Sequence, residues 1–337
     1  MTKIKFVFLL VATIILFHAC KKEAAQQKIQ FQGEAQGTYY AITYFANDTL
    51  VSQDQVDSLL EEFDKSASLW VEGSLLSRIN QNDPEVLPDK YLLDLFDQSR
   101  RISEDTDGAF DITVGPLVKV WGFWFKEPIK VNQHIVDSLL PLVDYRGIRI
   151  ENGRIIKNNP DIMFDFNAIA QGYSVDLMGG FLEKNGIENY LIDIGGEVFG
   201  RGQKPDGSPW MVGIEMPSKD ADSERQLNAT ISVSNIAVAT SGNYRKFYEV
   251  DGVRYSHTID PKTGYPVNHS LLSATVVADS AAIADGYATA FMVMGIEKSK
   301  AFIESHPKLQ AYFIYSDADG SLKTWISKGL DGLVDEQ

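Results

Sequence analysis

The chain has 337 residues, 44% of them hydrophobic, enough to bury one large core or two intimate ones. Its net charge of -15 argues against a nucleic-acid partner, because neutralising phosphates takes clustered Lys and Arg. A phosphate-bearing small ligand stays open, since a bound cation supplies the missing positive charge.

The N-terminus reads as a targeting segment rather than as part of the fold. Lys3 and Lys5 form a basic start, Phe6 to Phe17 is an apolar run too short to span a membrane comfortably, and Ala19-Cys20-Lys21-Lys22 follows. A small residue directly before the only cysteine resembles a bacterial lipoprotein cleavage site, although Phe17 and His18 are unusual upstream of it. Lipidation of Cys20 would leave a body without thiols, so without disulfides or cysteine catalysis. The rival is an uncleaved anchor. Either way the expectation is an extracytoplasmic body held at a membrane: residues 1–20 as signal, 21–28 as tether, and 29–337 as the folded domain.

Past the tether, Ile29–Phe45 predicts a strand pair turning near Gly37. Ser52-Gln53-Asp54-Gln55 is a capping-box pattern ahead of an apolar helix face, Val56, Leu59, Leu60 and Phe63. Trp70 lies in a Ser-rich segment, where it either stacks on a flat ligand ring or plugs the core. Pro88 opens a second amphipathic helix (Leu92, Leu95, Phe96, Ser99, Ile102). Trp121-Gly-Phe-Trp-Phe125 puts four aromatics in five residues, which line a pocket or fill a core equally well. Residues 126–162 read as an excursion with a short helix at Val136–Leu140 and a strand pair turning at Asn152-Gly153; no chemistry is identified in it.

The chain is organised around residues 165–197. An acidic residue leads into a helix opened by small residues, with Gly172 in its first turns, Asn185-Gly186 stops it, and strand Tyr190–Ile194 ends at Gly195-Gly196. Bare backbone at a helix start and a strand end suits a chain passing close to an anion such as a phosphate. An ordinary α/β unit with a glycine cap has the same pattern. Beyond it come a strand at Trp210–Met216, a charged loop at Pro217–Gln226, a hairpin-like β run at Leu227–Thr240, and the turn-rich, polar His257–Pro266. Strand Leu272–Ala278 then feeds an Ala-rich helix, Ser280–Met294; a helix at Glu297–Ser305 and two strands around Asp319-Gly320 close the chain. With no internal repeat and no low-complexity linker, the expected fold is α+β: a single large compact body with mixed or antiparallel sheets and flanking helices.

There is no Gly-x-x-x-x-Gly-Lys phosphate loop, no His-Glu-x-x-His and no Gly-x-Ser-x-Gly, and five His with one Cys argue against zinc. Oxygen ligands remain. Asp285 and Thr289 are four apart on one helix face and, with a backbone carbonyl near Ala168, suit a hard cation such as Mg2+. A solvated or capped pair has the same spacing. His257 has a near-neutral intrinsic pKa suited to a general base, or it hydrogen-bonds its own loop.

Eight segments occur in one order: GTYY, SLLSRIN, GAFDITVGPLVKVWGF, DFNAIAQGYSVD, IGGE, VATSGNY, HTIDPKTGYPV and ADGYATA. From about Gly33 to the C-terminus this series resembles the FAD:protein FMN transferases, the ApbE-type flavin transferases once linked to thiamine biosynthesis. A lipoprotein-like start is common among them. The resemblance implies binding of FAD with Mg2+ and transfer of the FMN half onto a Thr (or Ser) hydroxyl of a partner protein, with release of AMP. Carried over by position, Gln36, Trp70, Ala109, Phe110, Asp111, Asp165, Gln171 and Ile259 should line the FAD site. Ala168 (through its carbonyl), Asp285 and Thr289 should hold the metal, and His257 matches the candidate for taking the acceptor proton. Acceptors would be exported subunits of membrane electron-transfer complexes.

Three positions depart from the family pattern: Gln36 where Met is frequent, Asn167 where Gly is common, and Gln171 where the family has a Lys able to touch phosphate. Losing that cation weakens one phosphate contact. Two alternatives follow: an FAD pyrophosphatase giving FMN and AMP, and a non-catalytic FAD-binding lipoprotein.

Overall fold

The structure, a computed structural model, describes residues 26–124, 131–217, 226–243, 247–250 and 253–336. The signal segment with Cys20, most of the tether, Phe125, most of the charged loop after Pro217, and Tyr244 lie outside the described residues.

The expected strand pair is β1 (Gln27–Ala35) and β2 (Thr38–Ala46). It begins two residues earlier than expected, with Gln27 opposite Ala46 and Lys28 opposite Phe45. Gln36 and Gly37 make the two-residue turn with φ of 54° and 71°, the left-handed pair that matches the twist of a tight hairpin. α1 (Gln53–Ala67) opens with the capping box: Ser52 accepts from the Gln55 N–H while the Gln55 side chain accepts from the Ser52 N–H. Helices α2 (Leu75–Asn80), α3 (Lys90–Asp105), α4 (Gly115–Val120) and α5 (Gln133–Leu139) follow, then the ribbon β3 (Ile148–Glu151) and β4 (Arg154–Lys157).

The central stretch forms α6 (Ala170–Lys184), β5 (Tyr190–Ile194) and β6 (Glu197–Arg201), with Gly195 and Gly196 between the strands at φ of 68° and 109°. Next come β7 (Trp210–Glu215), β8 (Leu227–Val233), β9 (Ile236–Gly242), the ribbon β10 (Phe247–Val250) and β11 (Val253–Ser256), and β12 (Leu271–Ala278). α7 (Ala281–Met294), α8 (Ile296–Ser305), β13 (Gln310–Ser316), β14 (Leu322–Ile326) and β15 (Val334–Glu336) complete the order.

The main sheet runs β1-β2-β5-β6-β9-β12-β13-β14 and a smaller one runs β15-β8-β7. Every ladder between strands is antiparallel; a parallel bridge joins Val114 to Met163. The hairpin-like run is resolved differently from the expectation. β8 pairs with β7 and β15, whereas β9 pairs with β6 and β12 in the other sheet. Strand chemistry does not choose the partner; the faces that need covering do.

Alternation shows which faces those are. Ala237 and Ala239 of β9, Ala274 and Val276 of β12, and Phe313 of β13 face the helical core. Their neighbours Val238, Val277, Tyr312 and Ile314 face a second core shared with Trp210, Ile231 and Val233 of the small sheet. The centre of the main sheet is therefore buried on both sides, under helices on one and the small sheet on the other. α7, whose Ala281, Ala284, Ala288 and Ala290 are all buried, sits against β9 and β12.

Candidate active site

A cavity of about 950 Å³ opens where the β1–β2 turn, the loops around Trp70 and Ala109, the start of α6, the Gly195-Gly196 turn, β7, the end of β9, the His257 loop and α7 converge. Gln36, Trp70, Ala109, Phe110, Asp111, Asp165, Ala168, Gln171, His257, Ile259, Asp285 and Thr289 all line it, so the residues singled out along the sequence meet at one place. The volume stands near the top of the range of about 300–1,000 Å³ for ligand sites.

Two sequence alternatives separate here. Trp70 is 56% exposed on the cavity wall and plugs no core. In the aromatic run, Trp121 is buried in a small core with Leu117, Val136 and Ile259, while Phe123 and Trp124 line the cavity. Trp124 Nε1 donates to Asp165 Oδ2 at 2.7 Å, and the Asn167 N–H donates to Asp165 Oδ1 at 2.8 Å. Burial pushes the Asp165 carboxyl above the ordinary range, and these two donors oppose the rise. Asp111 is held likewise: Oδ1 accepts from the Thr113 N–H and hydroxyl at 2.8 and 2.7 Å, and Oδ2 from the Tyr145 N–H at 3.0 Å. Both carboxylates brace loops of the cavity wall.

The His257 loop is also braced. Trp121 Nε1 donates to the Gly264 carbonyl at 2.8 Å, and Lys262 pairs with Asp107 at 2.7 Å. A Cβ on Gly264 would meet Val136 of α5 at 2.5 Å. The excursion that carried no visible chemistry thus supports the loop that carries His257. The His257 ring lies 6.4 Å from that of Phe123, edge to face.

Of the two readings of the start of α6, the structure favours packing over a phosphate cradle at Gly172. A Cβ on Gly172 would lie 2.3 Å from the Ala281 carbonyl oxygen, so the glycine is required by helix packing. Its N–H donates to Asp285 Oδ2 at 3.2 Å, and the anion at this helix start is the protein's own. Burial, and secondarily Asp176, push the Asp285 carboxyl upward. Thr289 Oγ1 lies 3.2 Å from Ser241 Oγ, a neighbour that strand patterning alone does not reveal. At the Gly-Gly turn, a Cβ on Gly195 would meet Gln171 Nε2 at 2.7 Å and Thr38 Cγ2 at 2.8 Å.

The electrostatics are lopsided. Asp64, Asp111, Asp165, Asp193, Glu197, Glu215 and Asp285 line the cavity, and no Lys or Arg does among the described residues. A bound cation would offset this charge for a phosphate ligand. Asp285, Thr289 and Ala168 line this cavity together, and the oxygens expected of them, two side chains and a backbone carbonyl, are hard donors; no group of three or more His, Cys, Asp or Glu able to hold a metal occurs among the described residues. That set fits Mg2+, which takes few protein oxygens and completes its shell with water and substrate phosphates.

The fold of this body is shared with solved flavin transferases. The flavin transferase ApbE from Vibrio cholerae superposes with a TM-score of 0.81 at 34% identity, covering 91% of this chain and 99% of that one. The apo flavinyl transferase ApbE of Pseudomonas stutzeri gives 0.80 at 32% identity, covering 92% and 97%. Among curated sequences, the FAD:protein FMN transferase of Vibrio cholerae serotype O1 is 36% identical over 94% of this chain and 98% of its own length. The profile of the ApbE family matches residues 36–313, and the chain belongs to that family.

Proposed function

We propose that the protein is a Mg2+-dependent FAD:protein FMN transferase that joins the FMN half of FAD to a Thr (or Ser) hydroxyl of a partner protein and releases AMP. The carrying observation is the cavity itself: large enough for a dinucleotide, lined by carboxylates and holding no Lys or Arg among its described residues, with Ala168, Asp285 and Thr289 together on its wall. Flavin transfer from FAD to protein is the activity for which the relatives are named.

Trp70 and Phe110 would pack against flavin or adenine rings, and Gln36, Ala109, Asp111, Asp165, Gln171 and Ile259 are also on the cavity wall. Mg2+, when bound, supplies the charge neutralisation that displacement at a diphosphate requires. The acceptor oxygen bonds to the phosphorus of the FMN half, and the bridging P–O bond breaks with its electron pair leaving on AMP. His257, on its braced loop, takes the hydroxyl proton. Asp285, with Thr289 and the Ala168 carbonyl, would hold the ion.

The basic start, apolar run and Ala19-Cys20 support lipidation at Cys20 and an extracytoplasmic body held on the membrane, with exported electron-transfer subunits as acceptors. No helix among the described residues is long and apolar enough to cross a membrane.

The test incubates the body from Lys21 onward with FAD, Mg2+ and an exported flavoprotein subunit, reading AMP and the acceptor's intact mass together. A gain of one FMN, lost when the acceptor Thr becomes Ala, is the expected result. AMP and free FMN without a gain would make the protein a pyrophosphatase, and bound FAD without AMP a carrier.

A further inference from the structure

Helices α6 and α7 cap each other. Gly172, in the first turn of α6, donates its N–H to Asp285, one turn into α7. One turn further along α6, Asp176 accepts from the first turn of α7: Oδ1 from the Ala281 N–H at 2.8 Å, and Oδ2 from the Ser280 hydroxyl at 2.7 Å and the Ala282 N–H at 3.0 Å. Each helix thus offers an amide and, four residues on, a carboxylate, and the two sets interlock across more than 100 positions of sequence. α6 has no capping side chain of its own at Ile169, so Asp285 supplies what its flank does not.

We propose that Asp176 is a positioning residue for the cation site: it locks the head of α7 to α6 so that Ala168 and the α7 pair Asp285 and Thr289 present their oxygens to one ion. This rests on the reading of those three as the donor set. Ala168 lies two residues before the start of α6 and the other two donors ride on α7, so their separation depends on how the two helices sit against each other. Asp176 is half-buried and its three donors are all at the α7 start, which makes it, beside the Gly172–Asp285 bond, a side chain that fixes this relation. Its charge adds a second effect. Two carboxylates in one helix pair repel, and a divalent cation at Asp285 offsets both. An ordinary capping residue would stabilise α7 without altering cation affinity, and that difference can be measured.

The experiment uses the body from Lys21 onward, stripped with EDTA, with thermal unfolding followed by circular dichroism across a MgCl2 titration. Asp176→Asn keeps an acceptor for the Ala281 N–H and removes the charge; Ser280→Ala removes a cap hydroxyl and leaves the charge. For Asp176→Asn, the Mg2+ concentration giving half the rise in melting temperature should increase about tenfold or more, as for residues that orient metal ligands. In Ser280→Ala it should stay at the wild-type value although the melting temperature falls. FAD binding measured without Mg2+ should be unchanged in both. A wild-type Mg2+ midpoint in folded Asp176→Asn overturns the proposal alone. A wild-type protein whose melting temperature ignores Mg2+ overturns the donor set and the proposal with it. Asp176→Ala is the stronger variant where it folds; Asp176→Asn decides where it does not.

Discussion

The indole Nε1 of Trp124 donates to the buried carboxylate of Asp165 at 2.7 Å, across 41 positions of sequence. This bond ties the aromatic run to the segment leading into α6. Trp124→Phe should cost about 1–3 kcal/mol, because a buried acceptor loses its donor. Burial already raises the Asp165 carboxyl, and losing the indole raises it further. A raised carboxyl adds stability below the ordinary carboxylate range and loses it as pH rises through the folded value. The gap between variant and wild type should therefore widen as pH rises from the ordinary carboxylate range in urea titrations; a pH-independent gap would show that the indole does not bear on the ionisation of Asp165.

Asp285→Asn should separate stability from function. Without metal, the buried carboxylate is pushed upward by burial and by Asp176, so above its folded value its charge destabilises the protein. The Asn variant in EDTA should be more stable than wild type by about 0.5–2 kcal/mol at pH 8, with the advantage fading toward pH 4. Its Mg2+-dependent turnover should be lost, with only a modest loss of FAD affinity. Unchanged turnover would remove Asp285 from the metal site.

His257→Gln should lower kcat by about 100-fold or more and leave FAD binding unchanged, since a general base acts on the acceptor proton and not on the dinucleotide. Single-turnover AMP release at several pH values reads this directly. An unaltered rate would assign His257 to holding its loop.

Gln171→Lys would place a cation in a wall that has none among its described residues. The expected result is tighter FAD binding and a weaker dependence on Mg2+, read by flavin fluorescence with and without EDTA. No change would mean that the Gln171 side chain, pressed against Gly195, points its end away from the phosphates.

Gly172→Ala should destabilise by about 1–3 kcal/mol or more, because the added methyl meets the Ala281 carbonyl and backbone cannot step aside as a flexible side chain does. Thermal unfolding measures it. A neutral result would show that α6 and α7 can separate.

Much of the local structure was legible in the chain itself. The Ser52 capping box, the Gln36-Gly37 turn, the glycine stop after α6 and the strand Tyr190–Ile194 follow from short-range chemistry, in which a few neighbouring residues satisfy or release backbone groups. The ordered motif series likewise identified the family and the residues that meet in the cavity. Only the tertiary structure decided the rest. β8 and β9 part into different sheets because the main sheet needs cover on both faces, a demand set by strands far away in sequence. Trp121 and Trp124 divide between core and cavity because each indole N–H found a different distant acceptor, Gly264 and Asp165. Along the chain Gly172 suits a phosphate site and an ordinary helix start equally well; its amide is taken by Asp285, 113 positions on. Periodicity reports which face of an element is buried; it carries no information about which buried group will stand opposite.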